Sequence, residues 1–217
     1  MARAKKTVTE DKQACQKYIL ELEGAHFRLV AAKEFWCGDY FVKRGSKGGL
    51  VDSPDNLSQD GSCWITNDAC VYGKARIEGD ALITDRAIVC ADAIVMDNAV
   101  IRDDCQVCGK SIIRGNAVVA GAIELVNAKL GKDFGEDCKC TDDEGRLIPD
   151  AYLEYNPRLG RFHVNNYSQS NDLIVNIKTV VIDVKDKRED ETEEQYRKRK
   201  VKEHKNTYVE YCRIVGK

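Results

Sequence analysis

Every sixth residue from Ile65 to Leu125 is Ile, Val or Leu, in the unbroken series Ile65, Val71, Ile77, Ile83, Val89, Val95, Ile101, Val107, Ile113, Val119 and Leu125. A small side chain stands two residues before most of them, at Ala69, Ala75, Ala81, Ala87, Ala93, Ala99, Cys105, Ser111 and Ala117. A period of six belongs neither to a helix nor to an alternating strand, and self-similarity at a fixed period means stacked repeats. Within the unit Ala81-Leu82-Ile83-Thr84-Asp85-Arg86, Ala81 and Ile83 point to one side of a strand and Leu82 to the other. The intervening triplets are rich in turn formers, as in Glu78-Gly79-Asp80, Met96-Asp97-Asn98 and Arg114-Gly115-Asn116. Gly, Asn and Asp tolerate the positive φ that a sharp corner demands. Each unit therefore reads as a short strand followed by a corner.

The hexads resemble the hexapeptide-repeat superfamily, and the resemblance covers residues 63–130. It is closest to a group of uncharacterised bacterial and phage proteins with hexads of the form Gly-Asn-Ala-x-Val-x. Arg114-Gly-Asn-Ala-Val-Val119 and Val71-Tyr-Gly-Lys-Ala75 match that style. So does the leader, Lys47-Gly-Gly-Leu-Val-Asp52 and Asn56-Leu-Ser-Gln-Asp-Gly-Ser-Cys-Trp-Ile65. The resemblance implies an all-β core: a left-handed parallel β-helix of about 3.5 triangular coils, three hexads to a coil, with aliphatic and small side chains inward. Stacking three hexads per coil then lays out the outward rows. One face carries Trp64, Leu82, Val100 and Val118, a second Arg76, Ile94 and Ile112, and a third Cys70, Ile88, Gln106 and Glu124. A wholly apolar outer row is poorly suited to water, so it is covered either by a neighbouring subunit or by the chain's own C-terminal segment. Family members are commonly homotrimers, which makes Trp64, Leu82, Val100, Val118, Ile94 and Ile112 the expected oligomer interface.

Flanking the repeat, residues 1–62 read as a helix and β cap and 131–217 as an α+β extension. Thr9-Glu10-Asp11 and Gly24 bracket a predicted helix over 1–23. Strand character follows over 26–43, while Gly48-Gly49 and Pro54-Asp55-Asn56 are read as turns. The charged, turn-rich stretch Lys129 to Asp150 closes the repeat. Strands are expected around Tyr152–Tyr155, Arg161–Asn165 and Leu173–Val184, then a solvated helix over Lys185 to Lys205, and a last helix turn or strand from Tyr208. Both open ends of a coil stack expose strand edges, and these flanks are their natural caps.

With a net charge of -2 the chain carries no global field to recruit nucleic acid or anionic membrane. The Lys/Arg cluster at 197–205 is diluted by glutamates, so nucleic acid is disfavoured as a partner. No apolar run reaches the length of a membrane span or follows the basic start as in a secretory signal, so a cytoplasmic protein is expected. The 10 cysteines then read as free thiols, several filling small apolar repeat positions. Cys90 and Cys108, one coil apart, should stack at about 4.8 Å, within disulfide reach but reduced in a cytoplasm. Cys105 and Cys108 have a zinc-like spacing but point apart in the repeat, which leaves Cys138 and Cys140 as the remaining metal candidates and structural thiols as the expectation. Corner residues Asp68, Asp85, Asp103 and Asp104, with Arg86 and Arg102, read as solvated turns.

Acyl transfer from acyl-coenzyme A is the reaction most associated with the resembling superfamily, with a His as general base. This chain has only His26, His163 and His204, none inside the coils. The zinc carbonic anhydrases of the superfamily use three coil histidines and are excluded on that ground. The expected function is therefore a non-catalytic, oligomeric binding scaffold without cofactor or metal, of phage or prophage source, that binds and blocks a host factor, with a host protein or a small ligand as the expected partner. The alternatives are an acyltransferase using His26 or His163, and a protein sequestering a small ligand between subunits.

Overall fold

The structure, a computed structural model, describes residues 16–66, 68–131, 149–156, 161–165, 173–181 and 208–216. The hexads form a parallel β-solenoid of about four turns. Each hexad contributes a short strand to one of three faces, and equivalent hexads pair in register. Leu82 faces Val100 and Val100 faces Val118 on one side; Arg76, Ile94 and Ile112 pair on the next; Cys70, Ile88, Gln106 and Glu124 on the third. Main-chain ladders run from coil to coil, for example from Arg76 N–H to the Ala93 carbonyl at 2.9 Å and from Ile94 N–H to Ser111 at 2.8 Å.

Inside, every aliphatic of the series from Ile65 to Leu125, and each small residue paired with it, is fully buried. That inward ladder is the core, and burying each aliphatic side chain stabilises it by roughly 1.5–3 kcal/mol. At the corners, positive φ recurs with the same period of six, at Gly73, Gly79, Asp85, Ala91, Asp97, Asp103, Gly109, Gly115, Gly121 and Asn127. The corner aspartates also tie coils together. Asp85 Oδ2 accepts from Asp103 N–H at 3.2 Å, Asp97 Oδ2 from Gly115 at 2.9 Å and Asp103 Oδ2 from Gly121 at 2.8 Å.

The N-terminal cap departs from the predicted helix over 1–23. Tyr18–Glu23 is a strand, antiparallel to His26–Ala31, while residues 1–15 lie outside the described residues. The reason is a period of two: Tyr18 and Leu20 pack on the core while Ile19 is exposed. Nor is Gly48-Gly49 a turn, since both lie in the strand Lys47–Val51, which pairs in parallel with Cys70–Val71. These glycines serve close approach: a Cβ on Gly48 would sit 2.8 Å from the Trp64 ring, and one on Gly49 2.3 Å from the Ala69 carbonyl oxygen. Pro54–Asn56 is the expected turn, a short 3-10 segment capped by Ser53.

The cap is pinned by buried polar groups. The Tyr18 hydroxyl donates to the Leu57 carbonyl, and burial pushes its pKa up to about 12. Lys17, 1% exposed, donates from Nζ to Cys63 Sγ at 3.2 Å and to the Asp60 and Gly61 carbonyls at 3.4 Å.

At the other end the regular hexads stop near residue 130, but stacking continues. Lys129–Leu130 pairs with Ile112–Ile113, Tyr152–Asn156 adds in parallel to Val118–Gly121, and Tyr208–Gly216 adds in parallel to Ile123–Val126. Arg161–Asn165 and Leu173–Val181 then pair antiparallel on the last two. Strands remote in sequence thus extend two faces beyond the last hexads. The expected helix at 185–205 lies outside the described residues. No helix among the described residues is long and apolar enough to cross a membrane.

Candidate functional site

The outer surface decides what the coil can touch. Of the six interface residues expected from the sequence, Trp64 is withdrawn from the surface at 1% exposure. Phe35 meets its ring edge-on at 5.5 Å, and Gly48 lies so near the same ring that a Cβ there would clash with it, so the N-terminal cap covers it. Leu82, Val100 and Val118 on that face, and Ile94 and Ile112 on the next, are half-buried. Tyr152 continues the first row beyond Val118 and its hydroxyl accepts from Arg102 at 3.2 Å.

The segment covering Trp64 also exposes apolar groups. Phe35–Cys37 and Tyr40–Val42 form a hairpin, with the Trp36 and Phe41 rings 4.9 Å apart. Trp36 is 60% exposed. Sequence reasoning read this stretch only as strand. The signal available was alternation: Phe35, Cys37 and Val42 turn toward the coil, which leaves Trp36 and Phe41 on the outside.

His26 has a carboxylate partner. His26 begins the strand His26–Ala31, and the neighbouring strand ends next to Asp52. Nδ1 lies 2.6 Å from Asp52 Oδ1, while Asp52 Oδ2 accepts the Gly73 amide at 2.8 Å. The Tyr72 ring lies against the imidazole at 5.1 Å. A carboxylate held at both oxygens fixes the ring and, with Nδ1–H as donor, leaves Nε2 as the basic nitrogen. Beside the pair runs an open groove of about 880 Å³, lined by Ser53–Gln59, Gly73, Lys74, Arg76, Glu78, Asp92 and Ile94. Gly73 belongs to both. His163 lies at the far end of the stack, in the strand paired with Tyr152–Asn156, so the two histidines do not converge. His204 lies outside the described residues.

The cysteines separate by face. Cys37, Cys63 and Cys105 are buried, and burial raises all three pKa values, that of Cys37 to about 12. Cys105 points inward, its Sγ donating to the Gly121 carbonyl at 3.1 Å, and Cys108 outward, so they do not converge on a metal. Cys90 and Cys108 do meet, Sγ to Sγ at 2.8 Å. Cys138 and Cys140 lie outside the described residues. Among the described residues no three His, Cys, Asp or Glu side chains gather as a metal set. Arg86 pairs with Asp104 at 2.7 Å across coils, and Asp85 and Asp103 are occupied by the amides they cap.

Comparison of the sequence with protein-family models and with curated proteins finds no match. What the chain defines is thus a class by architecture, a parallel β-solenoid with β caps at both ends.

Proposed function

We propose that this protein is a non-catalytic binding scaffold, whose rigid coil presents apolar groups to partners and to further copies of itself. The observation that carries the reading is the exposed Trp36–Phe41 pair on the hairpin over Trp64. Large aromatic side chains left in water on a rigid base are favoured contact groups in protein interfaces. The half-buried rows Leu82–Val100–Val118 and Ile94–Ile112 support self-association, with a homotrimer as the expected state. Left-handed winding, membership of the hexapeptide-repeat group, a phage or prophage source, a cytoplasmic setting and a host protein as the blocked partner all rest on the resemblance of the hexads. Size-exclusion light scattering of wild type and of a Leu82→Asp/Val118→Asp variant tests assembly: the mass should fall to one chain with the circular dichroism unchanged. Capture of host proteins on wild type but not on a Trp36→Ala/Phe41→Ala variant tests the partner surface. Equal capture by both would remove the aromatic pair from the reading.

One arrangement favours the acyltransferase alternative: the His26–Asp52 pair, whose carboxylate is held by the amide of Gly73, a residue that also lines the neighbouring groove. His26 would take a proton from an acceptor through Nε2, with Asp52 steadying the imidazolium. Acetyl-coenzyme A should then raise the melting temperature and His26→Ala should abolish turnover. A small molecule retained through purification, seen by native mass spectrometry, would instead favour sequestration.

A further inference from the structure

Cys90 and Cys108 occupy equivalent positions of successive coils, following the in-register pairs Ile88–Gln106 and Val89–Val107. The Cys90 amide donates to the Val107 carbonyl at 2.9 Å, so the two backbones are held at strand spacing, about 4.8 Å, inside the Cα range that a disulfide spans. Both side chains are half-buried on the outer face, and their sulfurs touch at 2.8 Å. By contrast Cys37, Cys63 and Cys105 are sealed in the core. Cys70 shares the face but its thiol donates to the Asp68 carbonyl at 3.3 Å.

We propose that Cys90 and Cys108 form an oxidation site, a dithiol that closes to a reversible disulfide across two coils by exchange with a low-molecular-weight disulfide such as oxidised glutathione. One cysteine thiolate attacks a glutathione sulfur, breaking its S–S bond and expelling one glutathione thiolate. The second cysteine displaces the other glutathione, forming the protein S–S bond. The protein loses two electrons and two protons, and one glutathione disulfide becomes two thiols. Either sulfur can make the first attack, and the other, 2.8 Å away, resolves the mixed disulfide. Closure welds neighbouring turns of a stack whose cooperativity passes from each turn to the next. Oxidation thereby stiffens the face that carries Gln106 and Glu124.

The test uses the full chain equilibrated with excess glutathione disulfide, then alkylated, digested with trypsin and mapped by mass spectrometry. The expected product joins peptide 87–102 to peptide 103–110 through Cys90 and Cys108, with Cys105 alkylated. Cys108→Ser should trap glutathione on Cys90, and Cys90→Ser should trap it on Cys108, because each variant lacks the sulfur that resolves the mixed disulfide. The oxidised wild type should melt several degrees higher, and dithiothreitol should reverse the shift. Recovery of Cys90 and Cys108 as separately alkylated thiols would overturn the proposal, as would a cross-link through Cys105. The wild-type map decides the matter even if a variant misfolds.

Discussion

Val95 and Ile94 are neighbours in sequence with opposite fates, and exchanging each for aspartate tests the register of the whole coil. Val95 is fully buried, stacked between Ile77 and Ile113 in a central turn. Truncating it to alanine removes two methyl groups, at about 0.8 kcal/mol each, and the remaining cavity brings the cost to about 2–3 kcal/mol. Val95→Asp loses the same burial and adds the desolvation of an unpaired carboxylate, several kcal/mol more. Against a typical total stability of about 5–15 kcal/mol, that sum should abolish the folded body. Ile94, half-buried on the outside between Arg76 and Ile112, should cost about 1 kcal/mol as alanine and tolerate aspartate in an isolated chain. Urea titration followed by circular dichroism measures all four variants. A slip of one residue inverts inward and outward sets. Normal cooperative melting of Val95→Asp together with collapse of Ile94→Asp would therefore refute the reasoning.

Corner glycines should separate by what stands beside them. Gly121→Ala combines φ +80° with a Cβ 2.0 Å from the Tyr155 carbonyl oxygen and should dislodge the strand Tyr152–Asn156, seen as lost amide protection there. Gly73→Ala meets nothing closer than 3.4 Å and should cost only the left-handed backbone penalty, about 1 kcal/mol by denaturation. Alkaline pH should destabilise the N-terminal cap. Tyr18 has its pKa raised from 10.0 to about 12, so its contribution is complete below pH 10 and is lost as pH rises toward 12. Tyr18→Phe should flatten that part of the stability–pH curve, and an unchanged curve would count against the buried hydroxyl as its source. Asp52→Asn should leave the fold and its melting temperature unchanged, but should lower any His26-dependent turnover by about tenfold or more in a steady-state assay.

The repeat body was legible because its signal is local: inward and outward positions alternate within each hexad, and no insertion breaks the series before Leu125. The N-terminal cap was less so. Tyr18–Glu23 contains good helix formers, and the strand that wins is stabilised by pairing with His26–Ala31, a contact that propensity does not report. Gly48-Gly49 carries the same lesson, because a glycine pair marks a turn and a close approach alike. Neither Trp64's cover nor the His26–Asp52 pair could be read along the chain, since the partners in each are separated by 26 residues or more and belong to different strands.

The amino-acid sequence by itself determined the period, the inward ladder and the stacking of Cys90 on Cys108, since each follows from spacing and side-chain volume. The tertiary structure alone decided which outward residues stay in water. It buried Trp64 beneath Phe35, left Trp36 exposed, and supplied His26 with its carboxylate. The physical reason is that burial of an outward group depends on which remote segment folds over it, and that segment is chosen by pairing at the open edges of the coil.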